Sequence, residues 1–264
     1  MNRIALLATL SMSLSLSLPL AAHARAPEAA TRPPVSGMLD DPCPANRDGQ
    51  WALAEDVLKN DWPWLCRYRA ENAAYNAANP ARAVFIGDSI TEGWARIDPA
   101  LFSKGVVGRG LSGQTSPQIL LRFWQDVIAL HPRVVHIMIG TNDIAGNTGP
   151  TSVAAYQANI RAMVDLARVN GVRVVLGSIP PAKRMDWRPG LEPAPRIAEL
   201  NRWLRAFAAE QGLVFADYHS ALATPDGALR PDLGKDGVHP EAPGYALMRP
   251  IAERALAEAE AAYP

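Results

Sequence analysis

The chain has little of what usually narrows a reading. It has two cysteines in 264 residues, Cys43 and Cys66, with no Cys-x-x-Cys and no histidine beside either, which argues against a thiolate zinc site. Neither sign of charge is in excess: 26 basic residues face 26 acidic ones, so there is no electrostatic footprint for nucleic acid or an anionic membrane surface. Beyond the first two dozen residues no apolar run approaches membrane length. A G-x-S-x-G elbow and a G-x-x-x-x-G-K-[ST] loop are both missing, which sets aside the α/β-hydrolase and P-loop readings. A formal G-x-G-x-x-G does occur from Gly108 to Gly113, but no acidic residue closes the following strand, as a dinucleotide site needs.

What is present starts with a leader. Met1-Asn2-Arg3 carries one positive charge, an apolar stretch with interleaved serines follows, and Ala22-His23-Ala24 gives a small-residue cleavage pattern. That order predicts a secretory signal peptide over residues 1–24, hence a secreted or periplasmic protein with no stable membrane insertion after cleavage. In an oxidising compartment Cys43 and Cys66 are expected to bridge, worth about 3 kcal/mol in the chain-entropy account. Residues 25–80 read as an N-terminal extension. Its first half is rich in Pro, Ala and Asp, and the stretch from Trp51 to Asn79 has apolar and aromatic residues at loose helical spacing, giving one or two helices packed on the main body.

From residue 81 to 264 strand and helix patterns alternate. Short apolar runs at 83–86, 106–107, 134–139, 172–176 and 213–216 lack polar alternation, as strands buried on both faces do. Helices are predicted from Ser116 to about Leu130, from about Ser152 to Gly171, from Ile197 to Gln211 and from about Pro243 to Ala262. The implied fold is α/β, a three-layer αβα sandwich on a mainly parallel five-stranded sheet. Sites in such sheets lie beyond the carboxyl ends of the strands.

Three segments at those ends carry chemistry: Gly87-Asp88-Ser89, Gly140-Thr141-Asn142-Asp143 and Asp236-Gly237-Val238-His239. A serine hydroxyl needs a base, an imidazole supplies one, and the imidazole needs a carboxylate to fix its tautomer. Ser89, His239 and Asp236 are the candidates, Asp236 standing three residues before His239 across a glycine. The oxyanion of the tetrahedral intermediate needs donors. The backbone N–H of Ser89, a backbone N–H within Gly110-Leu111-Ser112-Gly113 and the Asn142 amide are available. Asp88 is expected to anchor its turn, and His136, inside an apolar strand, to be a core residue.

Together these blocks resemble the SGNH (GDSL-type) hydrolases. Val84 to Gly93 is similar to the family's first block, Gly110 to Thr115 to its second, Gly140 to Asp143 to its third, and Asp236 to Pro240 with Gly244-Tyr245 to its fifth. The resemblance spans about residues 83–250. It implies a flavodoxin-like sandwich, a nucleophile at Ser89, an acid–base pair at Asp236 and His239, oxyanion donors at Ser89, Gly113 and Asn142, and no metal or cofactor. Gly108 departs from it, since many relatives carry Asn there.

The expected activity is hydrolysis of carboxylic esters through an acyl-enzyme, on a small-molecule or polysaccharide substrate. Short acyl groups, including O-acetyl on carbohydrate, are the first candidates. A lysophospholipase or longer-chain acyl-lipid esterase is the alternative, and a non-catalytic binding module on the same fold is the remaining one. Trp94, five residues after Ser89, and Trp187, in the proline-rich loop 179–195, are candidates for contact with substrate.

Overall fold

The computed structural model describes residue 59 and residues 61–149 and 151–261. The expected signal peptide, the lead-in and Cys43, with its pairing to Cys66, lie outside the described residues.

Among the described residues, five strands form one parallel sheet: β1 (Ala83–Gly87), β2 (Val106–Gly110), β3 (Val134–Met138), β4 (Arg173–Gly177) and β5 (Val214–Ala216), in the order β2-β1-β3-β4-β5. In chain order the helices are α1 (Arg69–Asn72), α2 (Ser89–Ile97), α3 (Ser116–Asp126), α4 (Thr141–Ala145), α5 (Val153–Val169), α6 (Pro193–Gln211), α7 (His219–Leu222) and α8 (Ala242–Ala261). A 3₁₀ turn, Ile128–Leu130, ends the stretch predicted as one helix from residue 116.

The strands are buried on both faces because each residue parity meets a different layer of helices. Val84, Ile86, Val135, Ile137, Val174 and Leu176 pack with residues of α3, α5 and α6, such as Phe123, Ile160 and Leu204. Phe85, Val134, Val175 and Ala216 pack with α2 and α8, through Trp94, Tyr245 and Met248. The α2 connection therefore covers one face, and those of α3, α5 and α6 the other. The direction of winding reverses between β1 and β3. That is the switch point at which a crevice opens in such sheets, and the strands beside it deliver Ser89 and Asn142.

One buried charge ties this edge together. Arg122 and Asp126, on α3, are 0% and 1% exposed and pair at 2.8 Å. The rest of the Arg122 guanidinium donates to Gln114 Oε1 at 2.6 Å, to the Gly87 carbonyl at 3.0 Å and to the Arg109 carbonyl at 2.7 Å. Those carbonyls stand at the ends of β1 and β2, just before the blocks that carry the candidate chemistry.

Residues 61–79 hold one helical turn, α1, and otherwise turns. They are fastened to the same edge. Gln114 donates to the Pro63 carbonyl at 2.7 Å, Gln118 to that of Trp62 at 2.8 Å, and Tyr68 to that of Gly110 at 2.5 Å. Trp64, Tyr68 and Leu111 form a small core of their own.

Replacing Arg122 by Met strands the Asp126 charge and several carbonyls in the core. Loss of one partner of a buried pair costs about 3–5 kcal/mol. Urea unfolding of Arg122→Met is expected to show a loss of that order, and a loss under about 1 kcal/mol would mean the pair is replaceable.

Candidate active site

Ser89 is the first residue of α2 and follows β1 after a single residue, Asp88. Asp88 is the helix N-cap, its carboxylate accepting the Ile90 N–H at 3.0 Å. This fixes the strand-to-helix corner, and the Ser89 N–H, at the first helical position, has no intrahelical partner. The positive end of the helix dipole therefore faces the nucleophile's surroundings.

Ser89 Oγ lies 2.9 Å from His239 Nε2, and His239 Nδ1 lies 2.6 Å from Asp236 Oδ2. The other oxygen of Asp236 accepts the backbone N–H groups of Val238 at 2.9 Å and His239 at 2.8 Å. Gly237, at φ +76°, supplies the left-handed residue that lets the carboxylate fold back over its own turn. Burial alone would raise the Asp236 pKa. The N–H and ring of His239 and the Val238 N–H outweigh it and hold the carboxyl below its ordinary range. The ring thus has an ionised partner on one side and the serine on the other.

The three oxyanion candidates come from separate segments. Ser89 comes from β1–α2. Gly113, at φ +78°, lies in the loop after β2, and its N–H has no acceptor among the described residues. Asn142 is in the first turn of α4, after β3, with its amide nitrogen donating to the Gln114 carbonyl at 3.0 Å and its second hydrogen unused. Glu92 holds the Gly113 loop from the α2 side, accepting the Ser112 N–H at 2.9 Å and its hydroxyl at 2.5 Å.

Ser89 and His239 open onto a cleft of about 600 Å³. Its walls include Arg67, Tyr68, Glu92, Arg96 and Ser112. Arg67 and Tyr68 come from the N-terminal extension, to which the sequence assigned no role. The density of Trp and Tyr between residues 62 and 75 was the available signal, since such side chains need a body to pack on. Trp187 is 42% exposed, and its ring centre lies 6.3 Å from that of His239. Trp94 is not a substrate residue. It is 0% exposed, stacks on Tyr245 at 5.7 Å and meets Phe85 edge-on at 5.8 Å. Ile90 and Trp94 are four residues apart on α2, so both turn toward the sheet while Ser89 turns toward the cleft.

Two carboxyls near the site, Asp88 and Asp143, are each raised to about 6, chiefly by burial. Asp143 accepts the Ser116 N–H at 3.1 and 3.0 Å and the Ser116 hydroxyl at 2.5 Å, at the start of α3. His136 is held down to about 3 by burial, its Nε2 bonded to the Tyr218 hydroxyl at 2.8 Å and its Nδ1 unpartnered, so it is a neutral core residue.

The family model described as "GDSL-like Lipase/Acylhydrolase" matches residues 85–247. The chain belongs to this family. It is accordingly a carboxylic ester hydrolase with the family's α/β fold. A candidate acylhydrolase of Bacteroides fragilis is 43% identical, with a TM-score of 0.72 over 75% of this chain and 98% of that one. A GDSL-like lipase of Bacteroides thetaiotaomicron is 41% identical, with a TM-score of 0.72 over 75% of this chain and 100% of the other. An acetylxylan esterase of Geobacillus stearothermophilus shares the fold, at 22% identity and TM-score 0.54 over 69% of this chain and 95% of that one. No protein of curated function matches. Within this GDSL-like acylhydrolase the family match covers Ser89, Gly113, Asn142, Asp236 and His239.

The raised Asp143 has a consequence for stability. Between the ordinary carboxylate range and about pH 6 the folded state keeps a proton that the unfolded chain has lost, so this group's contribution falls as pH rises through that window and levels off above it. Melting temperatures of wild type and Asp143→Asn, measured from about pH 4 to 7, are expected to differ by an amount that changes across the window. A constant difference would show that Asp143 titrates normally.

Proposed function

We propose that the protein is a serine esterase that removes short acyl groups, acetyl foremost, from a polar alcohol such as a sugar, by way of an acyl-enzyme on Ser89. The observation that carries this reading is the continuous line Ser89–His239–Asp236 at 2.9 and 2.6 Å, opening on a cleft walled by charged side chains. His239 Nε2 takes the Ser89 proton as Oγ attacks the ester carbonyl. Asp236 stabilises the imidazolium that forms. The tetrahedral oxyanion is held by the N–H groups of Ser89 and Gly113 and by the Asn142 amide. The C–O bond to the alcohol then breaks, and the imidazolium returns its proton to the leaving oxygen. Water repeats the sequence in reverse on the acyl-enzyme and frees Ser89.

Support for a polar alcohol comes from Arg67, Arg96, Glu92 and Ser112 around the nucleophile. An acetylxylan esterase on the same fold is consistent with deacetylation. The leader read over residues 1–24 supports action outside the cytoplasm, where polysaccharide esters are met.

Hydrolysis of p-nitrophenyl esters from acetate to palmitate tests the reading. Turnover is expected to be highest on acetate, to fade by octanoate and to vanish in Ser89→Ala. Preference for long chains would move the substrate to acyl lipids, and a well-folded wild type inert on every ester would leave a binding module. Ser89→Ala and His239→Ala are expected to lose similar large factors, because the triad acts as a unit. Asn142→Ala is expected to cost roughly 10²–10³ in kcat, and a cost below about tenfold would remove it from the oxyanion hole.

A further inference from the structure

The Asn142 amide does not stand alone. Its oxygen accepts from Asn147 Nδ2 at 2.6 Å, and its nitrogen donates to the Gln114 carbonyl at 3.0 Å. Asn147 Oδ1 accepts the indole N–H of Trp187 at 3.1 Å, and the Asn147 backbone N–H bonds the Asn142 carbonyl at 3.1 Å. A primary amide can turn end for end, so its direction is set by whatever flanks it. Here both ends of the chain are chemically fixed. A backbone carbonyl only accepts, and an indole N–H only donates. Trp187 therefore selects the oxygen of Asn147. The Asn147 NH₂ is then turned to Asn142, which must answer with its own oxygen. That leaves the Asn142 NH₂ facing Gln114, with one hydrogen over for the oxyanion. Reversing either amide would set donor against donor at one junction and acceptor against acceptor at the other.

We propose that Asn147 and Trp187 are positioning residues that set the direction of the Asn142 amide, so that the loop whose indole lies beside His239 also orients an oxyanion donor. The inference rests on the oxyanion role proposed for Asn142. The loop is fastened where this requires. Arg188, next to Trp187, donates to the carbonyls of Ala145 and of Gly146, the latter at 3.1 Å, at the far end of the short helix whose first turn holds Asn142. Trp187 itself is half-exposed with its ring beside that of His239, so a substrate group resting on the indole touches the same side chain that fixes the relay. Substrate specificity and oxyanion geometry then share one residue.

The test is kcat and KM on p-nitrophenyl acetate for Asn147→Asp and Trp187→Phe, each in the wild-type and the Asn142→Ala background. Asn147→Asp keeps the shape and can still accept from Trp187, but has no hydrogen for Asn142. Trp187→Phe keeps an aromatic ring beside His239 and removes the N–H. In the wild-type background Asn147→Asp is expected to lower kcat about tenfold and Trp187→Phe about threefold or more, with KM within about threefold. In the Asn142→Ala background either change is expected to move kcat less than about twofold, since the group it orients is gone. Equal losses in both backgrounds would mean a general structural effect and overturn the proposal, as would losses below about twofold in the wild-type background. Failure of the relay leaves wild-type turnover and its dependence on Ser89 intact, which separates it from failure of the esterase reading.

Discussion

The Arg122 guanidinium is the constraint on which the catalytic edge depends. A charge with no exposed surface is costly unless each of its nitrogens is hydrogen-bonded. Arg122 meets that condition with one carboxylate, one amide oxygen and two backbone carbonyls. The carbonyls belong to Gly87 and Arg109, so the ends of β1 and β2 are set relative to each other by a planar group of fixed shape. Ser89 and the Gly113 loop follow directly. Gln114 extends the constraint. Its side chain accepts from Arg122 and donates to Pro63, while its carbonyl accepts from Asn142. One buried residue thus links the ends of β1 and β2, the N-terminal segment and the block after β3.

Above this rigid floor the reacting groups are open. The side chains of His239 and Asp236 are 38% and 49% exposed. The contrast explains why carboxyls within one site differ in sign of shift. Asp236 is half-exposed and takes three hydrogen bonds from its own turn, which favours the ionised form. Asp88 and Asp143 also accept N–H groups, but burial wins and raises both. The ionised carboxylate is therefore the one in contact with the imidazole. Of the raised ones, Asp88 caps the start of α2, and Asp143, on α4, accepts from Ser116 at the start of α3.

Much of this was legible in the sequence because it is local. Uninterrupted apolar runs ending in glycine marked β1, β3 and β4, and their alternation with helical stretches implied the parallel sheet. The Asp236-to-His239 turn needs only its four residues and a left-handed glycine. Other features depend on partners distant in sequence. Trp94 reads as a neighbour of Ser89 by spacing, yet its direction is decided by Tyr245, 151 positions later, and by the pitch of a helix over residues 89–97 that was not among those predicted. The N-terminal segment was legible as aromatic but not as a wall of the cleft, because its ties run to main-chain carbonyls and to side chains, such as Arg109 and Asp126, dozens of positions away. Asn147 gave no signal for the same reason. It lies in a loop, and its meaning comes from what Trp187 donates forty residues further on.

The three proposed oxyanion donors are anchored by different means, and this bears on how such a site can vary. Ser89 is held by a helix start and Gly113 by a loop braced from Glu92, both parts of the scaffold around Arg122. Asn142 is held on one side by that scaffold, through Gln114, and on the other by an exposed loop. Loss of the Trp187 N–H, in the loop between β4 and α6, therefore bears on one donor in three. Two donors and the triad would stay in place, so catalysis would be weakened and not abolished. Loop variation that kept an N–H donor at the position of Trp187 would preserve the oxyanion geometry while changing the surface presented beside His239. The chemistry constrains one atom of that side chain, and the rest of it is left to specificity.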